Sequence, residues 1–563
     1  MKVVIVGGVA GGASAAARLR RLDEQAEIVV FERTGYVSYA NCGLPYFIGG
    51  VIEEESALTL QSSEGFWNRF RIAVKTSHEV IAIHPDVHTV DVRDLLTGEE
   101  FVETYDKLIL SPGAHPIRPA LPGIDLDKIF SLRTVEDTLH IHGYVQEHEP
   151  RSAVVIGGGF IGVEAAENLR GLGLEVTLLQ RPGQLMNNLD YDMATLLHAE
   201  VRGHGVDLRL RADVTGFEEA DGRVVTHVAG DDSITADMVL LAIGVAPESH
   251  LAKKAGIELG IKGSIVVNDR METSAPDVYA VGDAVQVKHQ VTGKDAVISL
   301  AGPANKQGRI VADVICGLGS RYQGSLGSSV IKVFDLTAAS TGLSVKAARA
   351  AGIDYENVVL SPGSHAGYYP GATPMTMKVV FERETLRLLG AQIVGIDGVD
   401  KRIDVLATAI QAGIRADKLK DLDLAYAPPY SSAKDPVNMA GFLIENVGSG
   451  MLKQWHWEQE PDLPRDGSVQ LLDVRMVGEY DRGHIDGFVN IPVDDLRARL
   501  GELDVTKPVY VICQSGLRSY IGCRILAQYG FDCYNFSGGY RFFAAVTKDH
   551  RGSDNVMPCG LEK

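Results

Sequence analysis

Two cysteines stand where sulfur chemistry is possible. Cys42 lies in the Gly/Pro-rich turn Ser38-Tyr-Ala-Asn41-Cys42-Gly-Leu-Pro-Tyr46, and no second cysteine follows to close a local disulfide. Such a thiol must find its partner sulfur elsewhere, and it attacks as the thiolate. The plain alternative is a small buried hydrophobe. Cys513 ends the apolar run Pro508 to Ile512 and opens Cys513-Gln-Ser-Gly516-Leu-Arg518-Ser519. A cysteine that leaves a strand and opens a helix sits among backbone N–H groups that stabilise an anion. Arg518 is expected to add positive charge, making the loop a cradle for a thiolate or persulfide. Cys523 and Cys533 carry no motif and read as structural; Cys559 is a candidate reactive thiol.

The elements that position Cys42 begin at the N-terminus. Lys2 to Val6 is an apolar strand, Gly7-Gly8-Val9-Ala10-Gly11-Gly12 a tight turn, and an Ala-rich helix runs on to Leu22. The next strand, Ile28 to Phe31, ends in Glu32. Strand, turn, helix and strand closed by an acid form the dinucleotide fingerprint. Gly7 allows the turn, Gly12 the close helix–strand packing, and Glu32 is placed to accept hydrogen bonds from a ribose. The middle glycine is replaced by Val9. The pattern recurs complete at Gly157, Gly159 and Gly162, with the strand Ala153 to Ile156 before it and Glu175 to Leu179 after it. Two such units imply two dinucleotides, one flavin and one nicotinamide. Gln180 and Arg181 stand where an NAD-selective site often has an acid, which leaves room for a 2′-phosphate. Two apolar strands, Leu108 to Leu110 before Ser111-Pro112-Gly113 and Val239 to Ile243 before Gly244, read as crossovers between the units.

Length and composition bound the rest. A chain of 563 residues should hold several domains, and its net charge of −19 argues against a sequence-independent nucleic-acid surface. No run approaches the ~18 apolar residues of a membrane span. MKVVIVGG leads directly into the first strand, leaving no signal peptide in view, and the scattered cysteines do not resemble a secreted framework. The chain reads as cytoplasmic with reduced thiols, and no metal is expected.

The two glycine fingerprints, Thr273-Ser-Ala-Pro-Asp-Val-Tyr-Ala-Val-Gly-Asp283, and the lone cysteine in SxxxCGxPY together resemble the pyridine nucleotide–disulfide oxidoreductase superfamily. Within it they resemble the single-cysteine branch of coenzyme A-disulfide reductases, NADH oxidases and NADH peroxidases. The resemblance covers about residues 1–445. Leu471-Leu-Asp473-Val-Arg475, Gly483-His-Ile-Asp-Gly487, Asn490-Ile-Pro492 and the Cys513 loop resemble a single-domain rhodanese. Together these imply an α/β chain. Residues 1–115 and 246–325 would form an FAD-binding Rossmann-like domain, 116–245 an NAD(P)-binding one, and 326–447 an α+β dimerisation domain. Residues 448–464 would be a linker with anchoring aromatics, and 465–563 a rhodanese-like α/β domain.

The resemblance also implies site residues. FAD would lie against Gly7, Val9, Ala10, Gly12, Glu32, Arg33, Pro112, Gly113, Asp283 and Ala304. NAD(P)H would lie against Gly157, Gly159, Phe160, Ile161, Gly162, Glu164, Gln180 and Gly244. Ser14, Arg18, Arg21, Ser38 and Asn41 match positions around a coenzyme A pocket, the two arginines suiting its phosphates. Tyr368 and Tyr426 are candidates for the tyrosines that relatives supply to the sulfur from the second subunit of a homodimer. Oxidase and peroxidase relatives carry a histidine in the first glycine turn, where this chain has Ala10. The reading is therefore an NAD(P)H-dependent flavin reductase of coenzyme A persulfide, polysulfide or disulfide. Cys42 would be its redox thiol and Cys513 a sulfur carrier, with small-molecule partners and neither nucleic acid nor membrane. The alternatives are an oxidase or peroxidase using a Cys42 sulfenic acid, and a non-enzymatic sulfur-relay or redox-sensing protein.

Overall fold

The computed structural model describes residues 1–230 and 232–550, so Cys559 lies outside the described residues. The chain divides into two compact units, residues 1–183 with 206–327, and 184–205 with 328–563.

The first unit contains two parallel five-stranded sheets. One runs in the order Val278–Ala280, Lys107–Leu110, Lys2–Val6, Glu27–Glu32, Ala73–Thr76. Its central strands are mostly apolar because both faces are covered, as expected for parallel sheets. Val4, Phe31 and Leu108 pack on one side. Val3, Ile5, Ile28 and Ile109 pack on the other, against Ala15, Ala16 and Leu19 of the Ala10–Leu22 helix. The second sheet runs Asp207–Leu210, Glu175–Gln180, Ser152–Ile156, Met238–Leu241, Ile129–Ser131. Its helix Phe160–Gly171 follows the second glycine turn.

The two glycine turns are built alike. Gly7 has φ +95°, and a Cβ there would stand 2.1 Å from Ser111 O; Gly157 has φ +114°, with 2.2 Å to Ala242 O. A Cβ on Gly12 would lie 1.9 Å from Gly7 O, and one on Gly162 would lie 1.8 Å from Gly157 O. These close approaches explain why both positions are glycine in both units. The middle position is different. Gly159 has an ordinary φ of −88° and open space beside it, so Val9, at φ −103°, is accommodated in the first unit.

The second unit contains the helix Tyr191–Gly203 and two further sheets. An antiparallel sheet runs Ser329–Val333, Leu336–Gly342, Leu388–Gly395, Met375–Glu382, Tyr355–Leu360. The helices Val399–Gln411 and Pro436–Gly448 bury Ile403, Leu406, Val437 and Ile444 in one cluster with it. A parallel sheet runs Lys453–Trp455, Cys533–Phe536, Val509–Ile512, Gln470–Asp473, Val489–Asn490. Here the expected linker is corrected. Lys453–Trp455 is a strand of this last sheet, paired with Tyr534 to Phe536, and Trp455 is fully buried against Phe488 and Phe536. The aromatic anchors are core residues, so the C-terminal domain begins before residue 465. Val359 N donates to Ser537 Oγ at 2.9 Å and Gln454 Nε2 to Asn357 O at 3.2 Å, both along the edge strand Tyr355–Leu360. On the helix Gly539–His550, Asp549 is buried between Tyr191, His198 and Arg202. His198 Nε2 accepts from Leu185 N, which puts the proton of a neutral ring on Nδ1, donating to Asp549.

Candidate active site

Cys42 sits on the turn Asn41–Gly43, immediately before the short helix Leu44–Ile48. Ser38 N donates to Gly8 O at 2.9 Å and Leu60 N to Ser38 O at 2.9 Å, so this segment is pinned to the first glycine turn. Leu44, Phe47 and Ile48 are buried and anchor the helix, while Cys42 faces outward. Loss of surrounding water pushes its thiol up, the Glu164 and Asp283 carboxylates push it the same way, and Arg133 opposes them. Glu164 itself is pushed up to about 7 by burial, and its carboxylate accepts from the Tyr46 hydroxyl at 3.4 Å. Glu164, expected at the nicotinamide, therefore also bears electrostatically on Cys42.

A cavity of about 390 Å³ is lined by Asn41, the residue before Cys42, with Gly7, Val9, Glu32, Arg33, Pro112 and Gly113, among others. Asn41 Oδ1, buried without a hydrogen-bond partner, belongs to a residue of the same lining. An orphaned acceptor beside the glycine turn fits a hydrogen-bonding ligand there, and FAD fits the residues present. Glu32 is buried; its carboxylate accepts from Gly8 N at 2.8 Å and Thr34 N at 3.0 Å. Gln180 does the same in the second unit, accepting from Gly158 N at 2.9 Å. Each side chain thus braces its own glycine turn, and Arg181 is the exposed residue after Gln180. At the second turn Gly159 is exposed and Phe160 and Ile161 are half-buried; Gly244, at φ +121°, accepts from Ile117 N. Ala10 opens the first helix, and Ala304 is buried on the helix Ala301–Ile315, facing Gly282. Asp283 is bridged by Arg133 at 3.3 Å.

A second cavity, about 400 Å³, brings together Ser14, Arg18, Arg21 and Ser38 with Asn305 and Arg309. Asn41 is not part of this lining. Arg18 donates through Nε to Asp313 at 2.7 Å, and Ser14 Oγ to Asn305 Oδ1 at 2.6 Å. Asn305, Arg309 and Arg133 escaped the sequence reading; none carries a motif, and only the packing of distant segments reveals them.

In the second unit Tyr368 and Tyr426 are exposed and joined hydroxyl to hydroxyl at 2.6 Å, which pushes the Tyr426 phenol up. Cys513 is fully buried at the end of the strand Val509–Ile512. Its Sγ accepts from Gly516 N at 3.1 Å and from Ser519 Oγ at 3.2 Å. Tyr540 N donates to Cys513 O, and Arg475, buried on Asp473, reaches Gln514 Oε1 at 3.4 Å. Arg518 has both its Nη atoms engaged by Glu479, at 2.6 and 2.7 Å, a pairing that sets off part of its charge, and its guanidinium still interacts electrostatically with Cys513. Cys523 and Cys533 are buried in the domain core.

Residues 1–308 match the family model described as pyridine nucleotide-disulphide oxidoreductase, residues 328–436 its dimerisation domain, and residues 460–545 a rhodanese-like domain. The chain belongs to the pyridine nucleotide-disulphide oxidoreductase family; it is a flavin-dependent enzyme using FAD and NAD(P)H, with a C-terminal rhodanese-like domain. More particularly, it is 39% identical over 447 residues to coenzyme A disulfide reductase of Staphylococcus haemolyticus, covering 79% of this chain and 100% of that one. The solved structure of reduced CoADR-RHD from Bacillus anthracis shares 48% identity, with a TM-score of 0.95 over 97% of this chain and 98% of that one. That of an NAD-dependent persulfide reductase from A. fulgidus shares 37%, with a TM-score of 0.90 over 96% and 100%. Among the described residues no helix is long and apolar enough to cross a membrane.

Proposed function

We propose that the chain is a cytoplasmic homodimer that reduces coenzyme A persulfide, or the related disulfide, with Cys42 as its redox thiol. The observation that carries this reading is the second cavity, where Arg18, Arg21 and Arg309 gather beside Ser38, on the segment that presents Cys42. Guanidinium groups suit the phosphates of coenzyme A, and Ser38 on the pocket wall belongs to the same turn as Cys42. The disulfide and persulfide reductases among its relatives support the same substrate class.

In this reading NAD(P)H lies at residues 157–180, and FAD supplies the electron pair. Cys42 thiolate attacks the carbon-bearing sulfur of R–S–SH, forming Cys42–S–S–R and expelling hydrosulfide. Two electrons then break that bond and release the thiolate of R. The balance is R–S–SH, NAD(P)H and a proton giving R–SH, hydrogen sulfide and NAD(P)+. Glu164, with its value near 7, is suited to hold or give up a proton beside this exchange. Tyr368 and Tyr426 of a second copy would donate their hydroxyls to the leaving sulfur. Cys513 would carry sulfane sulfur as a persulfide and deliver it to the first centre. Anaerobic NAD(P)H consumption with coenzyme A persulfide, coenzyme A disulfide, peroxide or no acceptor tests the reading. Turnover on the two sulfur substrates is expected, and turnover on peroxide alone would restore the sulfenic acid alternative.

A further inference from the structure

We propose that Glu479 determines which sulfur donors load Cys513: by balancing Arg518 it turns away dianionic donors such as thiosulfate and reserves the loop for uncharged hydropersulfides. The proposal rests on the reading of Cys513 as a sulfur carrier.

The charge inventory of the loop carries the argument. Residues 513–519 contain one charged side chain, Arg518. A guanidinium clamps an oxoanion through two parallel N–H donors, and that fork is the edge Glu479 occupies. Glu479 is held in place independently, because its Oε2 also accepts from Met476 N at 2.9 Å at the start of the helix Val477–Asp481. A second guanidinium at the loop, that of Arg475, is buried and held on both oxygens of Asp473, with a further bond to Gly483 O. Its charge is balanced as well. The groups hydrogen-bonded to Cys513 Sγ are neutral donors, Gly516 N–H and Ser519 O–H, which suit one negative charge on sulfur.

The two donor classes place different demands on this loop. With R–S–SH, Cys513 Sγ attacks the outer sulfur, an Sγ–S bond forms, and the R–S bond to that sulfur breaks. The electron pair leaves on R–S⁻, the proton stays on the transferred sulfur, and there is no net oxidation. With thiosulfate the same attack expels sulfite, so two charges must enter and leave past an Arg518 fork that the Glu479 carboxylate already fills. Repulsion by a nearby carboxylate and the lost oxoanion clamp act in the same direction.

The test uses the full-length, FAD-loaded chain and reads the one-sulfur mass gain on the Cys513 peptide in single-turnover loading. The donors are thiosulfate and the hydropersulfide of mercaptoethanol. In Glu479→Gln, which keeps an acceptor for Met476 N, loading from thiosulfate should rise about tenfold or more while loading from the hydropersulfide changes little. Glu479→Asp retains the charge and should keep the parent's preference. Circular dichroism melting checks that both variants are folded. If the parent already loads both donors equally, or if the ratio is the same in Glu479→Gln, the proposal is overturned while Cys513 remains a carrier. Absence of any mass gain on Cys513 from either donor would overturn the carrier reading itself.

Discussion

At Cys513 the chain surrounds the sulfur with donors of its own. A backbone amide and a hydroxyl point at Sγ, and the residue is completely buried. At Cys42 the arrangement is reversed. The residue faces outward, and Glu164 and Asp283 oppose a thiolate that Arg133 favours. The difference teaches what each centre asks of its surroundings. In our proposal the first holds a sulfur with its own groups, and the second depends on groups brought to it, the cofactor and the phenols of a second copy. A carrier profits from isolation; a redox thiol that must cycle profits from a partner that alters its stability at each step.

The comparison breaks most sharply on the cysteines themselves. Cys42→Ser should lower NAD(P)H-dependent reduction of coenzyme A disulfide and persulfide by about a thousandfold or more, with FAD still bound by its absorbance. Loading of sulfur onto Cys513 should be untouched; substantial turnover in the FAD-loaded variant would remove Cys42 from the mechanism. Cys513→Ser should do the reverse, slowing reduction of polysulfide by about tenfold while sparing small persulfides, read as initial rates of hydrogen sulfide release. Equal loss on both classes would mean that every substrate passes through Cys513.

A smaller effect tests the proposed dependence of Cys42 on a second copy. Tyr426→Phe removes one hydroxyl and should slow the reaction by about tenfold, the scale of one hydrogen bond to a charged sulfur. Mixing Tyr426→Phe with Cys42→Ser subunits should recover part of the activity, and a fully active monomer at assay concentration would contradict the shared site. The smallest effect is electrostatic. Glu164→Gln removes a carboxylate that raises the Cys42 thiol, so the midpoint of Cys42 alkylation should move to lower pH. Because Glu164 ionises near 7, parent and variant should differ most above that pH and converge below it. A midpoint unchanged by the substitution would show that Glu164 does not act on the sulfur.

What was legible in the sequence follows the range of the interactions. The glycine turns could be read because Gly7 and Gly12, like Gly157 and Gly162, satisfy constraints set within one strand–turn–helix unit. The Cys513 loop could be read for the same reason. The pairing of Arg518 with Glu479 is not legible in the sequence, because Glu479 stands 39 residues away and carries no local sign of it. Asn305 and Arg309 join the arginines of the first helix only through packing of that helix against Ala301–Ile315. The strand Lys453–Trp455 was read as linker because it is too short to show a period, and its partner strand, Cys533–Phe536, lies far along the chain.

The edge strand Tyr355–Leu360 has a consequence for handling the protein. Its sequence, Tyr-Glu-Asn-Val-Val-Leu, is rich in residues that favour extended backbone, and its outer side meets Ser537 and Gln454 of the C-terminal domain. An uncovered edge of this kind is a template for pairing with other chains. A fragment cut after residue 447 to isolate the reductase would expose that edge, and it should self-associate into β-rich aggregates that the full-length protein does not form.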